Sequence, residues 1–300
     1  MSVRDADWAV RQYEAVRNVL PKANMPDSSR RVDHLGDLAE HFDVFLLDAF
    51  GVLNVGETAI DGAVERVAAL QSMGKRVIVV TNGATVPAER SRQKYTAFGF
   101  DFALEDVVSS RDALDLALAE RSEPGFWGAM AAQGSQLDQL QRPCRPLLDQ
   151  REVYDAACGF VLLSTTDWSD PQQRLLHDSL QQNPRPLLVG NPDIVAPREW
   201  GLSLEPGYYA HELARNLDVE PDFFGKPFGN VYDLALSRLG GVDASRIVMV
   251  GDTLHTDILG GAAAGIKTAL ITDHGLFAGH DSADYIRQTG IVPDFIMPNP

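Results

Sequence analysis

The sequence predicts a doubly wound α/β fold with a second α/β unit inserted into it, and three observations carry that expectation. Short apolar runs of strand length alternate with stretches of helical periodicity from about residue 42 and again from about residue 231. Between them, residues 109–204 carry a separate series of runs with more Gln, Pro and Gly. Several of the apolar runs end on Asp, Thr or Asn, as expected where strands of a parallel sheet open onto a ligand crevice.

Phe42-Asp43-Val44-Phe45-Leu46-Leu47 is the first run, nearly continuous because both faces of a central parallel strand are buried. Val64, Val67, Leu70 and Met73 then recur at helical spacing, and Gly74 stands where a helix ends in the left-handed region. Lys75 to Val80 is the second strand, and Pro87 opens a helix carrying Tyr95 and Phe98 and ending at Gly99. Strand–helix–strand order with right-handed crossovers yields a Rossmann-like parallel sheet. Towards the end, Val231, Leu234, Ala235 and Leu239 mark a helix. Arg246 to Val250 is a strand, Ile258 to Ala264 a small-residue helix, Lys267 to Ile271 a strand and Asp294 to Met297 the last. In the insertion, Gly159 to Leu163 and Pro186 to Val189 are strands flanking a helix from Pro171 to Gln181. The expected division is an N-terminal extension at 1–41, a core at 42–108 and 205–300, and the inserted unit at 109–204. In the extension, Trp8, Tyr13, Val16 and Leu20 make one apolar face that docks on the body.

Composition narrows the function. Of 300 residues, 26 are Lys or Arg and 42 are Asp or Glu, a formal net charge of −16. That field repels a phosphate backbone, so nucleic acid is not an expected partner. Two cysteines, Cys144 and Cys158, form no zinc or disulfide pattern. The first eight residues are acidic where a secretory signal is apolar, and no apolar run is long enough to span a bilayer, so a cytoplasmic protein without a membrane partner is expected. The sequence is silent on oligomeric state.

Four segments place polar groups directly after apolar runs. They are Leu47-Asp48-Ala49-Phe50-Gly51, Val80-Thr81-Asn82-Gly83, Gly225-Lys226-Pro227 and Val250-Gly251-Asp252-Thr253-Leu254-His255-Thr256-Asp257. Taken singly, each is also what an ordinary turn contains. Together, and in this order, they resemble the haloacid dehalogenase (HAD) superfamily of aspartyl-nucleophile phosphatases. The resemblance is to its class IIA, NagD-like branch, which carries an α/β cap and whose cap segment resembles Asn191-Pro192-Asp193.

The resemblance implies roles. Asp48 would be the nucleophile, forming an aspartyl-phosphate that water later hydrolyses. Mg²⁺ would bind Asp48, the main-chain carbonyl of Phe50, Asp252 and Asp257, the last through a water unless it serves instead to hold Lys226. Thr81, Asn82 and Gly83, with Lys226, would hold the phosphoryl oxygens. Three carboxylates facing one lysine cannot all stay ionised without a cation, so metal dependence follows if the site assembles. The cap would contact a small phosphorylated metabolite through Asn191, Asp193, Trp168 and Tyr208.

One position departs from the pattern. The superfamily's phosphatases carry a second Asp two residues after the nucleophile, a proton donor and acceptor, and here that position is Phe50. A positioned acid/base is worth about 10²–10⁴ in rate. Three consequences are open: substrates with good leaving groups, replacement by Glu57, His255 or His274, or a phosphometabolite-binding protein with little turnover. Other chemistries find no support. There is no Gly-x-Ser-x-Gly elbow, and Gly260 to Thr268 lacks the spacing of a P-loop. Residues 101–220 contain no lysine for a Schiff base.

Overall fold

The computed structural model describes residues 4–198 and 201–300. Seven parallel strands form the larger sheet, in the order Arg30–Arg31, Phe295–Met297, Lys267–Ile271, Ile247–Gly251, Val44–Leu47, Arg76–Thr81, Val107–Ser109. The order reverses between Ile247–Gly251 and Val44–Leu47, which lie side by side with Val250 opposite Leu47. A crevice opens at such a switch point because the connecting chains leave in opposite directions.

Alternation along the central strands shows that both faces are covered. Phe45, Leu47, Val77, Val79, Val248 and Val250 enter one apolar cluster with Val67 and Leu70 of the helix Ala63–Ser72. Val44, Leu46, Ile78, Val80, Ile247 and Met249 enter the other with Val231, Tyr232 and Ala235 of the helix Gly229–Ser237. Strands buried on both faces read as unbroken apolar runs, which is why these were visible in the sequence.

A second parallel sheet has the order Asp222–Phe223, Leu187–Val189, Gly159–Leu162, Trp127–Met130, Cys144–Pro146. The helices Asp170–Gln182 and Pro206–Asn216 cover one face and Ser110–Ala119 the other. The strands Trp127–Met130 and Cys144–Pro146 were not anticipated within the Gln- and Pro-rich stretch.

Two boundaries differ from expectation. The second unit does not end at 204: Ala210 and Leu213 are buried with Phe160 and Leu176, and Asp222 and Phe223 pair with Leu188 and Val189. We therefore place the inserted unit at about residues 110–223. Residues 1–41 are not wholly a separate extension either. Arg30–Arg31 extends the larger sheet beside Phe295–Ile296, and Leu35 and Leu38 are fully buried in its core. The helix Ala6–Ala15 does dock through Tyr13, with Val16 and Leu20 following, while Trp8 is half-buried. Among the described residues no helix is long and apolar enough to cross a membrane.

Candidate active site

Asp48 follows the strand Val44–Leu47, and its backbone N–H donates to the carbonyl of Val250 at 2.9 Å, continuing the ladder one residue past the strand. Asp252 follows the adjacent strand Ile247–Gly251. Neighbouring parallel strands thus deliver both carboxylates to the same end of the sheet. Asp257 arrives by a wide helical turn, Leu254–Ile258, that precedes the helix Leu259–Ala263, so the expected helix from 258 begins with one loosened turn. A Cβ at Gly251 would lie 2.0 Å from Asp257 Cγ, so only glycine lets that turn fold back. Carboxylate oxygens of Asp48, Asp252 and Asp257 lie within 4.8 Å of one another, all buried.

Lys226 completes the cluster. Its Nζ is 2.5 Å from Asp48 Oδ1 and 2.8 Å from Asp257 Oδ1, and its side chain is 2% exposed. Gly225 enables the approach: its φ is +119° and a Cβ there would sit 2.5 Å from Asn82 Oδ1. Asn82 Oδ1 accepts from the Lys226 N–H at 2.7 Å, and Asn82 Nδ2 donates to the Lys226 carbonyl at 2.8 Å. The amide of Asn82 is therefore the clamp that orients the lysine.

The electrostatics follow from crowding. Burial pushes Asp48 up to about 6, opposed by Lys226 and reinforced by the charge on Asp257. Burial, then Asp257 and Asp48, holds Asp252 well above the ordinary carboxylate range. Burial would lower Lys226, yet the charges of Asp257 and Asp48 outweigh it and keep the ammonium protonated. One ammonium against three buried carboxylates leaves an excess of negative charge with hard oxygen donors, which is the donor set a divalent cation such as Mg²⁺ takes.

Above this floor is a cavity of about 260 Å³ lined by Asp48, Phe50, Thr81, Asn82, Gly83, Asn191 and Asp193. Asn54, Lys94, Tyr95, Arg198 and Glu205 also line it, and the sequence had not singled them out as site residues. Their chemistry is ordinary, and only the packing of the hairpin Val195–Arg198/Gly201–Leu204 over Phe50 brings Arg198 there, its guanidinium 6.0 Å from the ring centre. Trp168 and Tyr208 do not line this cavity. Trp168 borders a separate hollow and donates Nε1–H to Gln173, and Tyr208 packs against Trp8 and Tyr209. Their expected substrate contact gives way to packing because aromatic area is buried where neighbouring helices meet.

The three groups expected to replace an acid at position 50 lie elsewhere. Glu57 is exposed and paired with Lys94 at 2.9 Å. His255 is fully buried, with Nε2 2.7 Å from Glu14 Oε1. His274 is engaged with Asn299 at 3.0 Å on the surface.

Fold and site together define a doubly wound α/β protein with a carboxylate–lysine centre at the switch point of a parallel sheet. Residues 45–138 match the family described as haloacid dehalogenase-like hydrolase, and residues 223–298 match a HAD-hydrolase-like family. An acid sugar phosphatase of Staphylococcus aureus is 28% identical over 229 residues, covering 76% of this chain and 86% of that protein. The fold is shared with a possible sugar phosphatase of Cytophaga hutchinsonii: TM-score 0.79, 24% identity, 92% of this chain and 98% of the other. It is shared also with a glycerol phosphate phosphatase of Mycobacterium tuberculosis solved in complex with magnesium: TM-score 0.68, 23% identity, 86% and 75%. The chain belongs to the haloacid dehalogenase superfamily, in the class IIA, NagD-like arrangement.

Proposed function

We propose that the protein is a Mg²⁺-dependent phosphatase of small phosphorylated metabolites that works through an aspartyl-phosphate on Asp48. The observation that carries this reading is Lys226, buried and within 2.8 Å of both Asp48 and Asp257, with Asp48 itself lining a cavity walled by Thr81, Asn82 and Gly83. Asp48 Oδ1 is fixed by Lys226 and by the N–H of Ala49 at 2.8 Å, which leaves Oδ2 as the attacking atom. Lys226 neutralises charge as the oxygen forms its bond to phosphorus, and Thr81 with the backbone N–H groups of Asn82 and Gly83 holds the transferred group. Asp48, the Phe50 carbonyl, Asp252 and Asp257 would hold Mg²⁺, and the bound ion would offset the phosphoryl charge. The cavity is too small for a polymer, in keeping with the sugar and glycerol phosphates named for the relatives.

A second reading is kept because Phe50 puts a benzyl ring into the cavity where an acid is usual. It is a phosphometabolite-binding protein with little turnover. A panel of phosphate esters separates the two. The phosphatase releases phosphate with Mg²⁺ and not with chelator, and Asp48→Asn slows release at least 10³-fold, as expected for loss of a covalent nucleophile. Equal release by wild type and Asp48→Asn would falsify the phosphatase; ester binding without release favours the sensor.

A further inference from the structure

Cleavage of an alkyl phosphate ester needs a proton for the leaving oxygen, and Phe50 cannot give one. Of the ionisable groups lining the cavity, most are committed. Glu205 accepts from Ser203 Oγ, Arg198 and Asn191. Arg198 is held by that pair, and Lys94 by Glu57.

Asp193 is not so bound. Its Oδ1 accepts from Asn82 Nδ2 at 2.8 Å, and no protein donor among the described residues reaches its Oδ2. This leaves Oδ2 as the oxygen able to carry a proton and donate it. The backbone around it is held on both sides: the Asp193 N–H donates to Asn191 Oδ1 at 3.0 Å and the Ile194 N–H to the Tyr13 hydroxyl at 3.1 Å. The residue enters from the chain that follows the second-sheet strand Leu187–Val189, whereas Asp48 enters from the core sheet. In-line displacement sends the leaving group away from the nucleophile, towards the part of the molecule that closes over the core.

We propose that Asp193 is the general acid and base of this enzyme, doing from the inserted unit what position 50 does not. The inference rests on the phosphatase reading above. In the first step Asp48 Oδ2 bonds to phosphorus, the phosphorus–oxygen ester bond breaks, and the departing oxygen takes the Asp193 proton. In the second, water attacks the phosphorus, its proton passes to the Asp193 carboxylate, and the bond to Asp48 breaks, restoring both carboxyls and releasing phosphate. Burial pushes Asp193 up to about 8, against the Asn82 hydrogen bond and the Lys226 charge and with the charges of Asp48 and Glu205 adding to it. Burial thus favours the protonated form of Asp193.

The test is Asp193→Asn with Mg²⁺ on two esters, p-nitrophenyl phosphate and glycerol phosphate. Nitrophenolate leaves without a proton. The variant should release one equivalent of it in a burst, then turn over slowly with phosphorylated Asp48 detectable by mass after acid quench. On glycerol phosphate it should show no burst and a loss of about 10²–10⁴ in kcat. Adding Phe50→Asp to the same variant should restore glycerol phosphate turnover. Wild-type rates on glycerol phosphate, equal losses on both esters without a burst, or no rescue would each overturn the proposal. Equal losses would make Asp193 a positioning residue. Wild type that releases no phosphate in an Asp48-dependent way removes the phosphatase reading first, and this proposal with it.

Discussion

At the scale of single residues, Asp252 illustrates how the site trades stability for charge. Its Oδ2 accepts the Leu276 N–H at 2.7 Å and its Oδ1 the Thr253 hydroxyl at 3.0 Å. Asparagine can retain both partners, with its oxygen towards Leu276 and its amide towards the hydroxyl, which can turn to accept. Asp252→Asn removes the cost of either burying that charge or holding a proton on it at neutral pH, so the metal-free protein should gain about 1–3 kcal/mol. The same change should abolish the rise in melting temperature expected of wild type in Mg²⁺. Scanning calorimetry in chelator and in Mg²⁺ reads both effects, and a metal-free Asp252→Asn less stable than wild type would count against the crowding.

At the scale of elements, the helix Pro206–Asn216 ties the hairpin Val195–Arg198/Gly201–Leu204 to the second sheet through His211. That imidazole is buried and stacks on Phe223 with ring centres 4.7 Å apart. Burial, aided by Arg215, pushes its pKa down to about 4. A histidine near 6.5 when unfolded and near 4 when folded binds its proton more readily in the unfolded chain. Stability is therefore full above about 6.5 and is lost as pH falls towards 4, by about 3 kcal/mol at the low end. His211→Gln should flatten that part of the urea-midpoint profile between pH 7 and 4.5 relative to wild type. A profile as steep as wild type's would show that other groups set the acid limit.

At the scale of the whole molecule, the N-terminal helix joins the two sheets. Tyr13 stacks on His255 of the turn Leu254–Ile258, ring centres 4.9 Å apart, while its hydroxyl accepts the Ile194 N–H beside Asp193. Tyr13→Phe leaves that buried N–H without an acceptor, a cost of about 1–3 kcal/mol. Because the lost bond anchors the segment that carries Asp193, turnover should fall in step with the loss of melting temperature. Unchanged calorimetry and kinetics would mean the helix is a passenger.

How much of this was legible locally depends on where each signal lies. Asp48, Thr81 and Asp252 could be read because each ends a strand buried on both faces, and such strands announce themselves as apolar runs. The Gly225–Lys226 and Asn191–Asp193 segments could be noticed but not placed, since nothing near them in sequence says that Asn82 clamps the one and bonds the other. The edge strand Asp222–Phe223 is two residues long, too short for any period, so the insertion seemed to end at 204. Trp168 and Tyr208 misled because an aromatic in a loop has the same local pattern whether it faces a ligand or a neighbouring helix. Sequence alone determined the α/β class, the order of the strand-end carboxylates and the phenylalanine at position 50 where the resembled family has an acid, the first two being properties of local pattern and the last of residue identity set against that resemblance. Tertiary structure alone decided which distant groups come together, because Asp193 and Arg198 reach the cavity, Lys226 reaches Asp48 and Tyr13 reaches Ile194 only when two sheets and one helix pack, and packing is a property of surfaces rather than of spacing.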